Sequence, residues 1–450
     1  MSGGVEASDP ATSGAGPTGL ARLLGQSPFR LARLLLSRWL GTGAQFGLNI
    51  ALGRVLGAEG LGVFYLFQAW YRWLAQVGAL GLPVHTLRVL SVLEGSGDRA
   101  ASKRYLRQAL GLIALTSLVI GLVIVPFASQ LAGLTLGSEL LAYVLLAAVA
   151  AGALWITLRI VAAAFKARRR PELGLVFEYS ALPIGLLLFV GGSFVFGVSL
   201  TPRPLLWATV AVLAAAVSGA LVLLLGGRSP AASGPERAPG ALFSPRSLAP
   251  LWGVGLVNSA ISNAPLLLMP QFAGAAEIAL FGVSTRLVAL AAAIQDALIS
   301  DFSPRFARYH ERGDRAALSA AFRRSRWLSI VTYAPILAIF LTLPQLILGI
   351  FGPEFREGAQ FLYVVALGQA ISSASGLVGS FLSMTHRQTT LLRINAGSLV
   401  VMLVLIFTLG RSYGALGIAW AYAITLATRN LVGLVAVYAE IGKLDPARPA

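Results

Sequence analysis

The chain has 450 residues, of which 56% are hydrophobic and 12% charged, and it carries a net charge of +17 with no cysteine. Soluble domains run at about 45–50% apolar and about 25% charged residues, so this composition excludes a soluble fold and describes an integral membrane protein. Without thiols, disulfides and thiolate metal sites are excluded as well.

The positive charge does not point to nucleic acid, because its placement decides its meaning. Of the 35 Lys and Arg residues, 27 fall in one set of alternate loops, 4 in the other and 4 inside apolar spans. That asymmetry is the positive-inside pattern, so the basic loops face the cytoplasm, with anionic membrane lipids as secondary partners. The three histidines, His85, His310 and His386, are expected in cytoplasmic turns, so no histidine metal cluster is expected.

Residues 1–19 are rich in Gly, Ser, Ala, Thr and Pro and read as a disordered cytoplasmic tail. Residues 20–38 alternate leucines with Arg22, Arg30, Arg33 and Arg38, which predicts a basic amphipathic helix on the inner leaflet. The first span, about 37–56, puts Arg38, Thr42, Gln45 and Asn49 on one face. The second, about 61–83, does the same with Tyr65, Gln68, Arg72 and Gln76, and polar stripes inside spans imply a cavity. Arg72 lies roughly 16 Å from the outer end of its span, near the midplane. Trp70, Tyr71 and Trp73 flank it, so a cation–aromatic structural role stands beside a binding role.

A basic loop at about 84–104 leads to the third and fourth spans, about 105–127 and 140–164, joined by a turn at Gly137-Ser138. Arg159 and Glu178 fall near the inner ends of the fourth and fifth spans, the latter about 173–198. They flank Lys166-Ala-Arg-Arg-Arg170, which reads as a topological anchor. The sixth span, about 205–226, follows Thr201-Pro-Arg-Pro204. Residues 227–247 are too rich in Gly, Pro and Ser for a helix and form a cytoplasmic linker. Spans seven to twelve follow at about 248–270, 278–303, 327–350, 359–383, 394–410 and 414–439, ahead of a cytoplasmic tail at 441–450. The N-lobe is then 20–226 and the C-lobe 248–440, with both termini cytoplasmic.

The eighth span holds Arg286 and Asp296 inside an apolar run, where a charge is costly and usually faces a protein cavity. Arg286, Ala289, Ala293, Asp296 and Ser300 share one helical face, while Leu287, Leu290, Ile294 and Leu298 cover other directions. The arginine either binds a ligand or pairs with a neighbouring helix. Asp296 is roughly 15 Å along the helix from Arg286 and needs another partner. It is either structurally paired or a coupling site at which proton or sodium binding biases two conformations.

The two halves repeat. Gly97-Asp-Arg-Ala-Ala101 recurs as Gly313-Asp-Arg-Ala-Ala317, and Ala58-Glu59 as Ala276-Glu277. Pro126 and Pro344, and Gly137-Ser-Glu139 and Gly352-Pro-Glu354, match at similar offsets. Six spans per repeat preserve orientation, which predicts an all-α polytopic protein of about 12 transmembrane helices in two pseudo-symmetric six-helix lobes. Arg72 and Arg286 then face each other across a central site.

The chain has no GxxxxGK[ST] loop, so ATP hydrolysis is not expected, and transport draws on a proton or sodium gradient or runs downhill without a cofactor. The outer loops offer only scattered Glu59, Glu139, Glu277, Glu354 and Glu357, poor material for a catalytic site. An enzyme of lipid-linked sugars is therefore the rival class.

The stretch Gly53-Arg-Val-Leu-Gly-Ala-Glu-Gly-Leu-Gly-Val-Phe64, with Gly78-Ala-Leu-Gly-Leu-Pro83, resembles the first hairpin of bacterial polysaccharide biosynthesis flippases of the O-antigen type. Phe281-Gly282, Ser303-Pro304, Gly313-Asp314 and Phe351-Gly-Pro-Glu-Phe355 resemble their second half. The likeness spans about the whole membrane domain and rests on glycine and apolar patterns. It implies the multidrug and oligosaccharidyl-lipid exporter superfamily, with MATE-like lobes that alternate access in a V shape. It further implies movement of a polyprenyl-pyrophosphate-linked oligosaccharide from the cytoplasmic to the periplasmic leaflet of the bacterial inner membrane, beside other polysaccharide-assembly membrane proteins.

The residues fit that implication independently. Arg72, Arg286 and Arg429, with fewer acids at comparable depth, suit a pyrophosphate headgroup because guanidinium forks pair with phosphate oxygens. Gln45, Asn49, Gln76, Asn258 and Asn263 suit sugar hydroxyls. A cation-coupled multidrug antiporter of the same superfamily is the alternative, and it would show net acid in its cavity.

Overall fold

A computed structural model describes residues 28–128, 130, 139–226 and 243–443. The expected tail at 1–19, the turn at Gly137-Ser138 and the greater part of the linker lie outside the described residues. So do 20–27 of the expected amphipathic helix and 444–450 of the second tail.

All secondary structure among the described residues is helical, and ten helices are long and apolar enough to cross a membrane by length and composition. Two of the ten turn back on themselves. In Pro28–Gly78 the Tyr65 hydroxyl bonds the Asn49 side chain sixteen positions earlier, which a straight helix would hold roughly 24 Å away. The reversal is at Gly57, with φ 68°. Gln388–Lys443 reverses at Gly414, with φ 57°, where a Cβ on Gly417 would overlap the Leu409 carbonyl. Both backbone angles lie in the left-handed region that glycine enters without strain. Counting each reversed helix as two gives twelve crossings.

In chain order the helices are α1 (28–56), α2 (58–78), α3 (Leu82–Ser96), α4 (Arg99–Ile124), α5 (Glu139–Ala167), α6 (Pro171–Val195) and α7 (Pro202–Gly226). The second half holds α8 (Pro245–Leu268), α9 (Ala275–Glu311), α10 (Arg315–Thr342), α11 (Pro353–Met384), α12 (388–413) and α13 (415–443). All but α3 are crossings.

Several expected boundaries move, each for a local reason. The basic loop expected at 84–104 is instead α3 and the start of α4. Gly97 (φ 77°) ends α3, and the Asp98 carboxylate caps α4 by accepting the Ala101 amide at 2.8 Å. Gly313 (φ 67°) and Asp314, which accepts the Ala317 amide at 2.8 Å, do the same before α10. The repeated Gly-Asp-Arg-Ala-Ala motif is therefore a helix stop and start used twice, and it brings α4 and α10 in at 99 and 315 rather than 105 and 327. On its N-terminal side α9 runs to Glu311, well past 303. His85 and His310 consequently lie on helices, not in turns. No Gly or Pro interrupts 29–40, so residues 28–38 continue into the first crossing and are not a separate surface helix. Pro245 opens α8 and α13 ends at Lys443, which removes 245–247 from the linker and 441–443 from the tail.

In the N-lobe α5 is central, packed against α2, α3, α4 and α7; in the C-lobe α11 packs against α9, α10 and α13. The lobes meet where α2 and α9 cross. A Cβ at Gly62 would overlap the Ala275 carbonyl, and one at Gly282 the Tyr65 ring. At the same end Arg54 Nε donates to the Ile350 carbonyl at 2.9 Å, and the Phe46 and Phe351 rings meet edge to face at 5.8 Å. Toward the linker end, α8 lies on the N-lobe, its Trp252 Nε1 donating to the Val77 carbonyl at 3.0 Å. The α9 face bearing Ala289, Asp296 and Ser300 is exposed there. The lobes are thus closed at the Gly57 end, whereas toward the linker end α8 stays on the N-lobe and the α9 face parts from it.

Candidate functional site

A cavity of about 710 Å³ lies between the lobes, walled by α1, α2, α5, α6, α8 and α9. Seven residues expected to bind substrate are in its wall: Gln45, Asn49, Arg72, Gln76, Asn258, Asn263 and Arg286. Arg429 is not. It sits on α13, which packs on α11, two turns past Tyr422, whose ring meets Phe281 of α9 edge-on at 5.9 Å. Asp296 is also outside the wall, about one turn past Ala293, on the exposed face of α9. Leu290, expected to point elsewhere, lines the cavity beside Ala289 and Ala293.

Arg286 is held by neutral groups. Its Nη2 donates to Gln68 Oε1 at 2.7 Å, its Nη1 to the Gly282 carbonyl at 3.1 Å, and its guanidinium lies 3.5 Å from the centre of the Tyr65 ring. Tyr65 in turn donates its hydroxyl to Asn49 Oδ1 at 3.1 Å, and Asn49 Nδ2 donates to the Gln45 carbonyl at 2.7 Å. One chain of contacts therefore fixes α9, α2 and α1 around the cavity's closed end. No carboxylate joins it, so the ion pair that was the alternative for Arg286 is absent among the described residues. Arg72 is exposed to the cavity, 6.0 Å from the Tyr71 ring centre, with no hydrogen bond or ion pair among the described residues.

The amides divide between those already engaged and those left over. Asn395 donates to Asn258 Oδ1 at 3.2 Å, and Asn263 Nδ2 donates to the Ser259 carbonyl at 2.8 Å. Gln45 Nε2 is buried in the wall with no partner, an open donor for a ligand acceptor.

Among the wall residues that sequence reasoning missed are Arg159, Glu178, Ser259 and Ser262. The serines had a signal, since 258, 259, 262 and 263 form a polar run at helical spacing. Arg159 and Glu178 were masked by the basic run between them. The cavity wall then holds three arginines against one carboxylate. Among the described residues no group of three or more His, Asp or Glu is placed to hold a metal ion.

No protein-family model matches the chain. By structure, the chain superposes on the inward-facing conformation of a multidrug resistance MATE family transporter of the MOP superfamily with a TM-score of 0.78 at 12% identity, covering 93% of this chain and 99% of that one. It superposes on the lipid II flippase MurJ in its inward closed conformation with a TM-score of 0.68 at 13% identity, covering 92% and 88%. The fold is that of the MATE-like transporters, and the chain is a multi-pass membrane protein. By sequence it is 22% identical over 405 residues, 89% of this chain and 81% of the relative, to the probable low-salt glycan biosynthesis flippase Agl15 of Haloferax volcanii. The likeness to polysaccharide flippases read from the glycine motifs is thus met by a glycan flippase in sequence and by MATE-like transporters in fold.

Proposed function

We propose that the protein is a flippase that carries an oligosaccharide, linked through pyrophosphate to a polyprenyl chain, from the cytoplasmic to the periplasmic leaflet by alternating access. The observation that supports this best is the charge of the cavity wall. Arg72, Arg159 and Arg286 outnumber Glu178 and leave an excess of two positive charges, about the charge of a pyrophosphate diester. The wall amides suit sugar hydroxyls, and the exposed face of α9 gives the lipid tail a way to stay in the bilayer. On this reading the Gly57 end faces the periplasm and the parted end the cytoplasm, in keeping with the 27 basic residues in one set of loops against 4 in the other. The protein would then sit in the bacterial cytoplasmic membrane with both termini inside, among other polysaccharide-assembly proteins. That its relatives are flippases and transporters favours transport over an enzymatic role. Asp296, one turn beyond the cavity, is the candidate for coupling to a proton or sodium gradient.

A multidrug antiporter has the same fold, but an excess of guanidinium repels an organic cation. Proteoliposomes offered a polyprenyl-pyrophosphate oligosaccharide and a fluorescent organic cation in parallel separate the two. The flippase reading expects movement of the first, abolished by Arg72→Gln with Arg286→Gln. Movement of the cation alone, indifferent to both arginines, would reject it.

A further inference from the structure

Where α6 begins, the helix widens into a π-helical turn, Val176–Ser180. Pro183 gives the reason: it cannot donate to the Tyr179 carbonyl four residues earlier and its ring crowds that carbonyl, and the widened turn absorbs the conflict. This turn carries Glu178, the single carboxylate in the cavity wall. The α1 backbone passes so close that a Cβ on Gly41 would lie 2.8 Å from Ser180 Oγ.

The two oxygens of Glu178 are unequally engaged. Oε2 is bound by Lys166 Nζ, whereas Oε1 is 3.9 Å from Arg159 Nε. The longer distance is beyond a hydrogen bond, so attraction alone holds Arg159, which makes no hydrogen bond among the described residues. The Arg159 side chain is 32% exposed, against 16% for Glu178. Arg159 lines the cavity and Lys166 does not.

Arg159 also completes a series in depth. Trp155 meets Tyr71, the neighbour of Arg72, edge-on at 6.0 Å, and α5 and α2 run in the same direction. Arg159 is four residues beyond Trp155, which is level with Tyr71, hence about 4.5 Å nearer the linker end than Arg72, and Arg286, level with Gln68, is about 6 Å nearer the closed end. Three guanidinia thus climb the cavity in steps.

We propose that Arg159 is the entry station for the anionic headgroup and that Glu178 is its displaceable counter-ion. Glu178 holds Arg159 while the cavity is empty, yields it to an arriving phosphate, and by re-forming the pair passes the anion on to Arg72 and Arg286. A site on a path must bind well enough to admit its cargo and weakly enough to release it, and a competing carboxylate sets that balance. The proposal rests on the reading of the cavity as an anion carrier.

Calorimetric titration of the purified protein with inorganic pyrophosphate tests it. Glu178→Gln should bind about fivefold tighter than wild type and Arg159→Gln about fivefold weaker, the size of a partly screened charge pair. In an Arg159→Gln background, Glu178→Gln should bring no tightening. Tightening that persists without Arg159, or none in folded Glu178→Gln, would overturn the proposal. Should Glu178→Gln not fold, Glu178→Asp keeps a charge for Lys166 while drawing it back from Arg159; it should bind tighter than wild type, and equal affinity would count against the idea. A protein that binds no pyrophosphate removes the proposal. One that shows the expected pattern but moves no polyprenyl-pyrophosphate oligosaccharide removes only the flippase reading.

Discussion

Gln68 and Arg286 hold equivalent places in the two halves of the chain, 218 residues apart like Ala58 and Ala276, and they hydrogen bond to each other at 2.7 Å where α2 crosses α9. Helices related by a pseudo-twofold axis bring equivalent residues together where they cross on it. Here the repeat has diverged into an acceptor on one side and a charged donor on the other. The contact between lobes is therefore polar, yet it leaves the positive charge uncancelled.

Changing Gln68 separates these two properties. Gln68→Leu removes the acceptor and should cost about 2 kcal/mol, as expected for a charged donor left short of a partner; thermal melting in detergent would read it. Gln68→Glu keeps an acceptor but cancels the charge, so the fold should hold while pyrophosphate affinity falls about tenfold. Wild-type affinity in a folded Gln68→Glu protein would exclude Arg286 from the anion site.

The absence of cysteine makes the closed end easy to lock. A Cβ placed on Gly53 lies 3.3 Å from the Phe351 Cβ across the two lobes and 2.9 Å from the Phe351 carbonyl oxygen, so a slight easing apart of the two backbones brings the pair to the spacing of a disulfide. Gly53→Cys with Phe351→Cys should oxidise to a cross-link that stops turnover, and a reductant should restore it. Full transport by the oxidised protein would mean that the lobes need not part there.

The crossings were legible because apolar runs alternate with arginine-rich loops, and the polar stripes of α1 and α2 were legible from their spacing. Thr42, Gln45, Asn49, Arg72 and Gln76 all wall the cavity. A stripe, however, reports a direction and not a register. Arg72 and Arg286 were set opposite each other, yet by the same offset the counterpart of Arg286 is Gln68 and that of Arg72 is Leu290. The helicity of α3 was hidden by its Arg, His and Gly residues; it comes from burying Leu82, Leu90 and Leu93 and packing on α5. Glu178 escaped for a further reason. The π-helical turn that accommodates Pro183 breaks the 3.6-residue period on which such readings depend.

The twin helix caps should be energetically alike because their geometry is alike. Asp98→Ala and Asp314→Ala each remove a carboxylate that accepts an amide at 2.8 Å, and each should cost about 1 kcal/mol. Asn at either place should recover most of the loss, since its side-chain oxygen can accept the same bond. Melting of the two Ala and two Asn variants would check this, and a loss confined to one half would show that the repeated motif does not do equal work in both lobes.

His85 supplies a pH dependence whose sign can be worked out. It lies on α3, outside the crossings, with Nδ1 2.8 Å from the Tyr105 hydroxyl and its ring beside those of Tyr105 at 5.9 Å and Phe243 at 6.0 Å, which stack on each other at 5.0 Å. The Thr86 hydroxyl meets the same Tyr105 oxygen at 3.2 Å. Burial, and after it the charge of Arg88, pull the imidazole below the usual histidine value. An unfolded chain takes up this proton near pH 6.5 while the folded protein resists it, so below about that pH the unfolded state binds more protons and stability falls as pH falls. The melting temperature should therefore drop between about pH 7.5 and about pH 5.5. His85→Gln, which can still bond the Tyr105 hydroxyl but cannot titrate, should show a smaller drop. His310 and His386 are common to both proteins and cancel in the comparison. An equal drop in the two would assign the acid sensitivity to groups other than His85.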